Sequence, residues 1–217
     1  MTPTSTPESS GADVVDDADG VTIVRVTERA QLERAWDVRT EVFVHEQHVP
    51  IEEEIDDLDT AESTTHVLAL EAATGAAVGT GRLLTDPAHP GEVHLGRLAV
   101  RAAARGRGIG ARLVIALEAL AVAGHGVRSD GPTSDGDVPT SDGPAADGDS
   151  PGAVGDGAAA GAGGTTRADT TLAVRVVLSA QETAMEFYRR LGYDVVTGER
   201  YLDAGIWHQD MARTVVS

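Results

Sequence analysis

A mixed α/β (α+β) fold, with a central mixed β-sheet flanked by helices, is predicted for this chain by three observations. Short apolar runs bounded by turn residues alternate with stretches whose apolar positions recur at helical spacing. Two early runs are joined closely enough to form a hairpin, whereas later runs lead into helices of crossover length. Apolar residues make up 41% of the 217 positions, enough for one buried core.

Residues 1–20 are Ser, Thr, Pro and Asp with few apolar groups, and are expected to be a disordered acidic tail. "VTIVRV" (21–26) reads as a strand. "ERAQLERAWDVRTEVFVHEQ" follows as a helix with Leu32, Ala35, Trp36 and Val38 or Arg39 at helical spacing. "HVLALEA" (66–72) and "AVGTGRLLT" (77–85), separated by Thr74-Gly75, form the hairpin, and "EVHLGRLAV" (92–100) is a further strand. Ile109, Leu113, Ala116, Leu117 and Leu120 make one apolar stripe, so 108–123 is a helix. Residues 126–170 are Gly, Asp, Ala, Pro and Ser with imperfect "SDG" repeats, and read as a disordered insertion within a single domain spanning 21–214. "LAVRVVLS" (172–179) is apolar enough for a central strand. "ETAMEFYRRLG" is then a helix capped by Gly192, and two short strands near 193–200 and 206–214 end the chain.

The formal charge is −18, all 17 basic residues are arginine, and cysteine is absent. The acid excess resembles the bias of halophilic organisms, where salt screens self-repulsion. It argues against nucleic acid and anionic membrane as partners. Without cysteine there are no disulfides, thiolate metal sites or thiol nucleophiles. "HEQH" (45–48) has its histidines three apart rather than four and lacks a third ligand, so no metal site is expected. No leader or spanning segment is recognisable, and a cytoplasmic location is the expectation.

Against this background, Val93 to Leu117 holds no Asp or Glu and five arginines. Its centre, Arg105-Gly106-Arg107-Gly108-Ile109-Gly110, joins a strand to a helix. Glycines there let backbone N–H groups approach an anion, the helix start adds partial positive charge, and arginine forks match phosphate oxygens. A phosphate-bearing ligand is expected. "GRGIGA" also fits a weak dinucleotide pattern, but the acidic residue that pattern needs about twenty positions on would fall at the start of the insertion. A lysine-dependent P-loop is excluded, because there is no lysine.

Read as Arg-x-x-Gly-x-Gly, residues 105–110 resemble the pyrophosphate motif of the GNAT acyltransferase superfamily. "VRTEVFVHEQHVP", "LGRLAVRAAARGRGIGARL", "LSAQETAMEFYRRLGY" and "DAGIWHQDM" stand in the order of its ElaA-like branch. The resemblance implies a sheet splayed between the family's fourth and fifth strands, with acetyl-CoA as co-substrate in the gap. It implies an N-acetyltransferase that passes the acyl group directly to a small-molecule or peptide amine; a binding module without turnover is the alternative. A homodimer is left open.

Carried over residue by residue, Leu98, Ala99 and Val100 would offer backbone groups to the pantetheine, with a thioester oxygen near the Leu98 or Ala99 N–H. Arg105, Gly106, Arg107, Gly108, Ile109 and Gly110 would hold the pyrophosphate. Tyr188 would protonate the CoA thiolate, the alternative being a packed core tyrosine. Gln181 would bond the CoA arm or cap the next helix. For the base, Glu46 or His94 acting through water are the candidates. Phe43 lies on the acceptor side, and Arg39, Arg82 and Arg97 are candidates for a substrate carboxylate or for ordinary salt bridges. "IEEEIDDLDTAE" reads as a solvated acidic loop.

Overall fold

The computed structural model describes residues 13–128, 171–196 and 198–217. Strands β1 (Asp13–Ala18) and β2 (Val21–Arg25) precede helix α1 (Arg29–Arg39), which runs on as a π-helix over Thr40–Glu46. A single turn, α2 (Ile51–Glu54), leads to β3 (Thr64–Glu71), β4 (Ala77–Thr85) and β5 (Glu92–Val100). Then come α3 (Ile109–His125), β6 (Val127–Arg128), β7 (Leu172–Gln181), α4 (Met185–Arg190), β8 (Asp194–Val195), β9 (Tyr201–Asp203) and β10 (Ile206–Val216).

All strands join one mixed sheet of order β1-β2-β3-β4-β5-β7-β10-β8, with β6 on β7 and β9 on β10. Alternation sends Val21, Ile23, Val67 and Leu83 to one face, where Leu113, Val114 and Leu117 of α3 cover them. Val24, Leu68 and Ala99 point to the other face, under Ala35 and Val38 of α1. Gly81 of β4 is what lets α3 lie this close, since a Cβ there would stand 2.8 Å from Leu117 Cδ1.

The pair β5 and β7 is parallel, and it is short. Glu92, Val93 and His94 oppose Arg175, Val176 and Val177, after which the two strands part. The cause lies on the other edge of β5. Arg82 opposes Gly96 and Thr80 opposes Ala99, so Arg97 and Leu98 together face Gly81. This is a β-bulge, with Arg97 at φ 50°, and a bulge bends its strand and increases its twist. The splayed sheet expected from the resemblance is therefore present, and the gap begins at Leu95.

Two boundaries differ from expectation. Residues 13–18, read as part of a disordered tail, form β1 and pair with β2 through a two-residue turn at Asp19-Gly20, both at positive φ. The Asp-Gly signal for such a turn was in the sequence. Arg112 completes the arrangement, donating to Asp16 Oδ2 (2.6 Å), Ala18 O (2.8 Å) and Val21 O (2.7 Å). At the expected insertion, Val127 and Arg128 still pair with β7; the remainder, 129–170, lies outside the described residues. No helix among the described residues is long and apolar enough to cross a membrane.

Candidate active site

Where β5 and β7 separate, a cleft of about 550 Å³ opens. Leu95 to Val100 form one wall, and Ser179 and Gln181 of β7 with Ile206 and His208 of β10 form the other. Phe43, Glu46 and Gln47 close it from the π-helix side, a segment whose wider turn re-aims side chains. Ala184, Phe187 and Tyr188 close it from α4, and Arg105 and Gly110 stand at the end where α3 starts.

That end has the geometry expected for an anion. Gly106 and Gly108 sit at φ 79° and 76°, a left-handed conformation that glycine adopts without steric cost. Gly108 is the N-cap of α3 and supplies no side-chain cap, so the first-turn N–H groups have no acceptor within the helix. Ile109 contributes backbone only, since its side chain is buried in the core, and Ala99 is likewise buried under α1.

The arginines behave differently from expectation. Each of the five in the acid-free run has an acidic partner from another segment. Arg97 pairs with Glu54 (3.3 Å), Arg101 with Glu41 (3.2 Å), Arg105 with Glu46 (2.6 Å) and Arg107 with Glu71 (3.0 Å), while Arg112 holds Asp16. The run is thus the surface on which the acidic segments dock. Arg107 is turned away to β3, whereas Arg105 keeps a half-exposed guanidinium at the cleft and also donates to Val100 O (2.9 Å).

Two of the three arginines considered for a substrate carboxylate are structural. Arg39 is fully buried and donates to Glu54 Oε1 (2.5 Å), Asp59 Oδ1 (2.6 Å) and the Glu54 carbonyl. Burial opposes its charge, but the hydrogen bonds and charges of Asp59 and Glu54 outweigh that and raise its pKa. Arg82, also buried, donates to Asp56 and Asp59, each at 2.8 Å. Burial works to raise the Asp59 carboxyl, yet its bonds to Arg39 and Arg82 hold it below its ordinary value. The segment read as a solvated acidic loop is thereby pinned to the sheet through Glu54 and Asp59, both buried. Arg97 does reach the cleft, but donates to Glu53 O (2.8 Å) and clamps α2 over it.

His94 is corrected as well. It is exposed beside Glu92 (3.8 Å) and lines a separate, smaller hollow with His89 and Leu84. Strand alternation alone could not reveal that β5 leaves its partner just after this residue. Gln181 donates from Nε2 to Gln47 Oε1 (2.8 Å), bridging β7 to the end of the π-helix.

Tyr188 lines the cleft with its side chain largely buried: the ring packs edge-on against Phe187 (5.0 Å) and Tyr193 (5.8 Å). Burial pushes its phenol up to about 12, so the hydroxyl keeps its proton at neutral pH.

Sequence reasoning did not single out Ser179, Tyr201 and His208. Tyr201 donates to Asp210 Oδ1 (2.6 Å) and shares a 2.5 Å hydrogen bond with Ser179 Oγ. His208 bonds Ile206 O through Nδ1 (2.9 Å) and stacks on Tyr201. The usable signal was the period of two in "IWHQD", which puts Ile206, His208 and Asp210 on one face of a strand.

Comparison with known proteins agrees with this geometry. The model of the Acetyltransferase (GNAT) family matches residues 31–129, and that of an Acetyltransferase (GNAT) domain matches 164–215. An uncharacterized N-acetyltransferase of Bacillus subtilis, YjcF, is 29% identical over 183 residues, which is 84% of this chain and 92% of that protein. The crystal structure of an acyl-CoA N-acyltransferase from Pseudomonas aeruginosa superposes with a TM-score of 0.59 at 28% identity, covering 89% of this chain and 99% of that one. Escherichia coli ElaA has the same TM-score and coverage at 22% identity, a likeness of fold. With the splayed sheet and the glycine turn at the α3 start, these matches identify the chain as a member of the GNAT acetyltransferase family, an acyl-CoA-dependent N-acyltransferase.

Proposed function

We propose that the chain transfers an acetyl group from acetyl-CoA to the primary amine of a small molecule or peptide, by direct attack within a ternary complex. The observation that carries this reading is a cleft in a parted sheet that ends on an uncapped helix start. The donor set fits the co-substrate. Gly106 to Gly110 would hold the pyrophosphate through backbone N–H groups, helped by Arg105, and the edge of β5 from Leu98 to Val100 would meet the pantetheine. The co-substrate supplies an activated thioester; the chain supplies position and proton transfer. With no cysteine to form an acyl-enzyme on sulfur, attack by the amine itself is the economical route.

Tyr188 is the group we assign to protonate the departing thiolate, because it lines the cleft and stays protonated. Glu46 lies at the phosphate end, bound to Arg105, and so acts as counter-ion of that arginine rather than as the base. Phe43 and Arg97 shape the acceptor side.

Release of CoA thiol across a panel of amines tests the reading, and the chain adds no thiol background. Turnover of at least one amine is expected. Binding of acetyl-CoA with no thiol release on any amine would instead make the protein a binding module.

A further inference from the structure

We infer that His208, through Nε2, is the general base that takes the proton from the acceptor ammonium; this rests on the N-acetyltransferase reading above. His208 is 9% exposed and lines the cleft. It lies where β7 ends, directly opposite Gln181 on one side and Tyr201 on the other.

Its chemistry follows from its partner. The Ile206 carbonyl at 2.9 Å is only an acceptor, so Nδ1 must carry the hydrogen. In the neutral imidazole the lone pair then belongs to Nε2, and once Nε2 takes a proton the Nδ1–H bond to the carbonyl steadies the cation. Tyr201 backs the ring at 6.2 Å between centroids, itself tied down by Asp210 and Ser179. The imidazole is therefore held in one tautomer and one orientation before any acceptor arrives.

The other ionisable groups along the cleft are less suited. Glu46 is held by Arg105, and Glu54 by Arg39 and Arg97. Tyr188 keeps its own proton. Glu53 and Asp203 remain, and a carboxylate is a weaker base towards an ammonium than an imidazole is.

The step balances. The ammonium gives one proton to Nε2, and the freed amine nitrogen attacks the thioester carbon. The C–N bond forms, the C–S bond breaks, and sulfur takes the Tyr188 proton. The second proton on nitrogen leaves to water, as does the imidazolium proton, and the phenolate regains one from water, so each turnover releases one proton.

The test compares wild type with His208→Ala and His208→Gln, using spermidine, tyramine and a peptide amide with a free α-amine as acceptors. Calorimetry on acetyl-CoA should give the same affinity within about twofold for all three proteins, showing an intact fold and donor site. On the best acceptor, kcat/KM at pH 7 should fall about 10²-fold or more in both variants. The fall should shrink as pH approaches that of the free amine, near ~10, and added imidazole should restore activity to His208→Ala. Nitrogen NMR of the wild type should show the Nδ1–H tautomer. Variants that keep the wild-type pH profile, or an Nε2–H tautomer, would overturn the base while leaving the transferase intact. A wild type that turns over none of the three amines would overturn both.

Discussion

Replacing Arg39 by Met keeps an unbranched apolar stem in the α1 interface and removes a fully buried guanidinium. Three groups lose the guanidinium as a donor: Glu54 Oε1, Asp59 Oδ1 and the Glu54 carbonyl. Asp59 keeps Arg82 (2.8 Å) and the Trp36 indole N–H (3.1 Å), so its carboxylate remains answered. Glu54 keeps only Arg97, at 3.3 Å and partly solvated, and carries most of the penalty. Removing one partner of a buried pair costs about 3–5 kcal/mol, and the contacts left to Asp59 place the expectation near the lower end, about 3 kcal/mol. For a domain of this size that corresponds to a fall in Tm of roughly 6–12 °C. Urea unfolding followed by circular dichroism at fixed ionic strength measures it. Adding Glu54→Gln to Arg39→Met should recover part of the loss, because it removes the stranded charge, and the double-mutant cycle reads that coupling. A variant within about 1 kcal/mol of wild type, the value of a surface pair, would refute the buried-network account. If its acceptor KM rose as well, Arg39 would return to the role of substrate ligand that its sequence context suggested.

Other outcomes follow from the cleft. Tyr188→Phe should lower kcat at least ~10-fold with little change in acetyl-CoA KM. With the folded phenol at about 12 against an unfolded value near ~10, wild-type kcat should not fall between pH 8 and 10, and the stability this tyrosine contributes should be complete below pH ~10 and lost as pH rises towards 12. Gly108→Ala meets no atom within 4 Å, so its effect comes from φ alone: a loss of about 1–2 kcal/mol, and weaker CoA binding by calorimetry, unchanged affinity being the contrary result. Glu46→Gln frees Arg105 for the ligand, and since both side chains are partly exposed it should tighten CoA by only about 2–5-fold. Weaker binding would mean that Glu46 orders the turn instead.

Much of the architecture was legible because it is written in near-neighbour patterns. The alternation in 77–85 and 92–100 became β4 and β5 at those limits, and the stripe from Ile109 to Leu120 became the buried face of α3. The glycine turn was legible for the same reason: a left-handed N-cap is a local demand, and glycine at 106 and 108 meets it. The hairpin at Asp19-Gly20 carried an equally local signal, masked by the acidic composition around it.

What the sequence by itself determined, then, is the order of strands and helices from β2 onward, the glycine turn at the start of α3 and the family they belong to. Only the tertiary structure decided which charges meet. Arg105 finds Glu46 across 59 positions, Arg82 finds Asp59 across 23, and Arg112 finds Asp16 across 96, so no window along the chain could tell a ligand-binding arginine from a structural one. The same holds for His94 and His208. Both alternate correctly on strands, but the sheet parts just beyond the first and opens its cleft beside the second, because a one-residue bulge opposite Gly81 turns β5 away from β7.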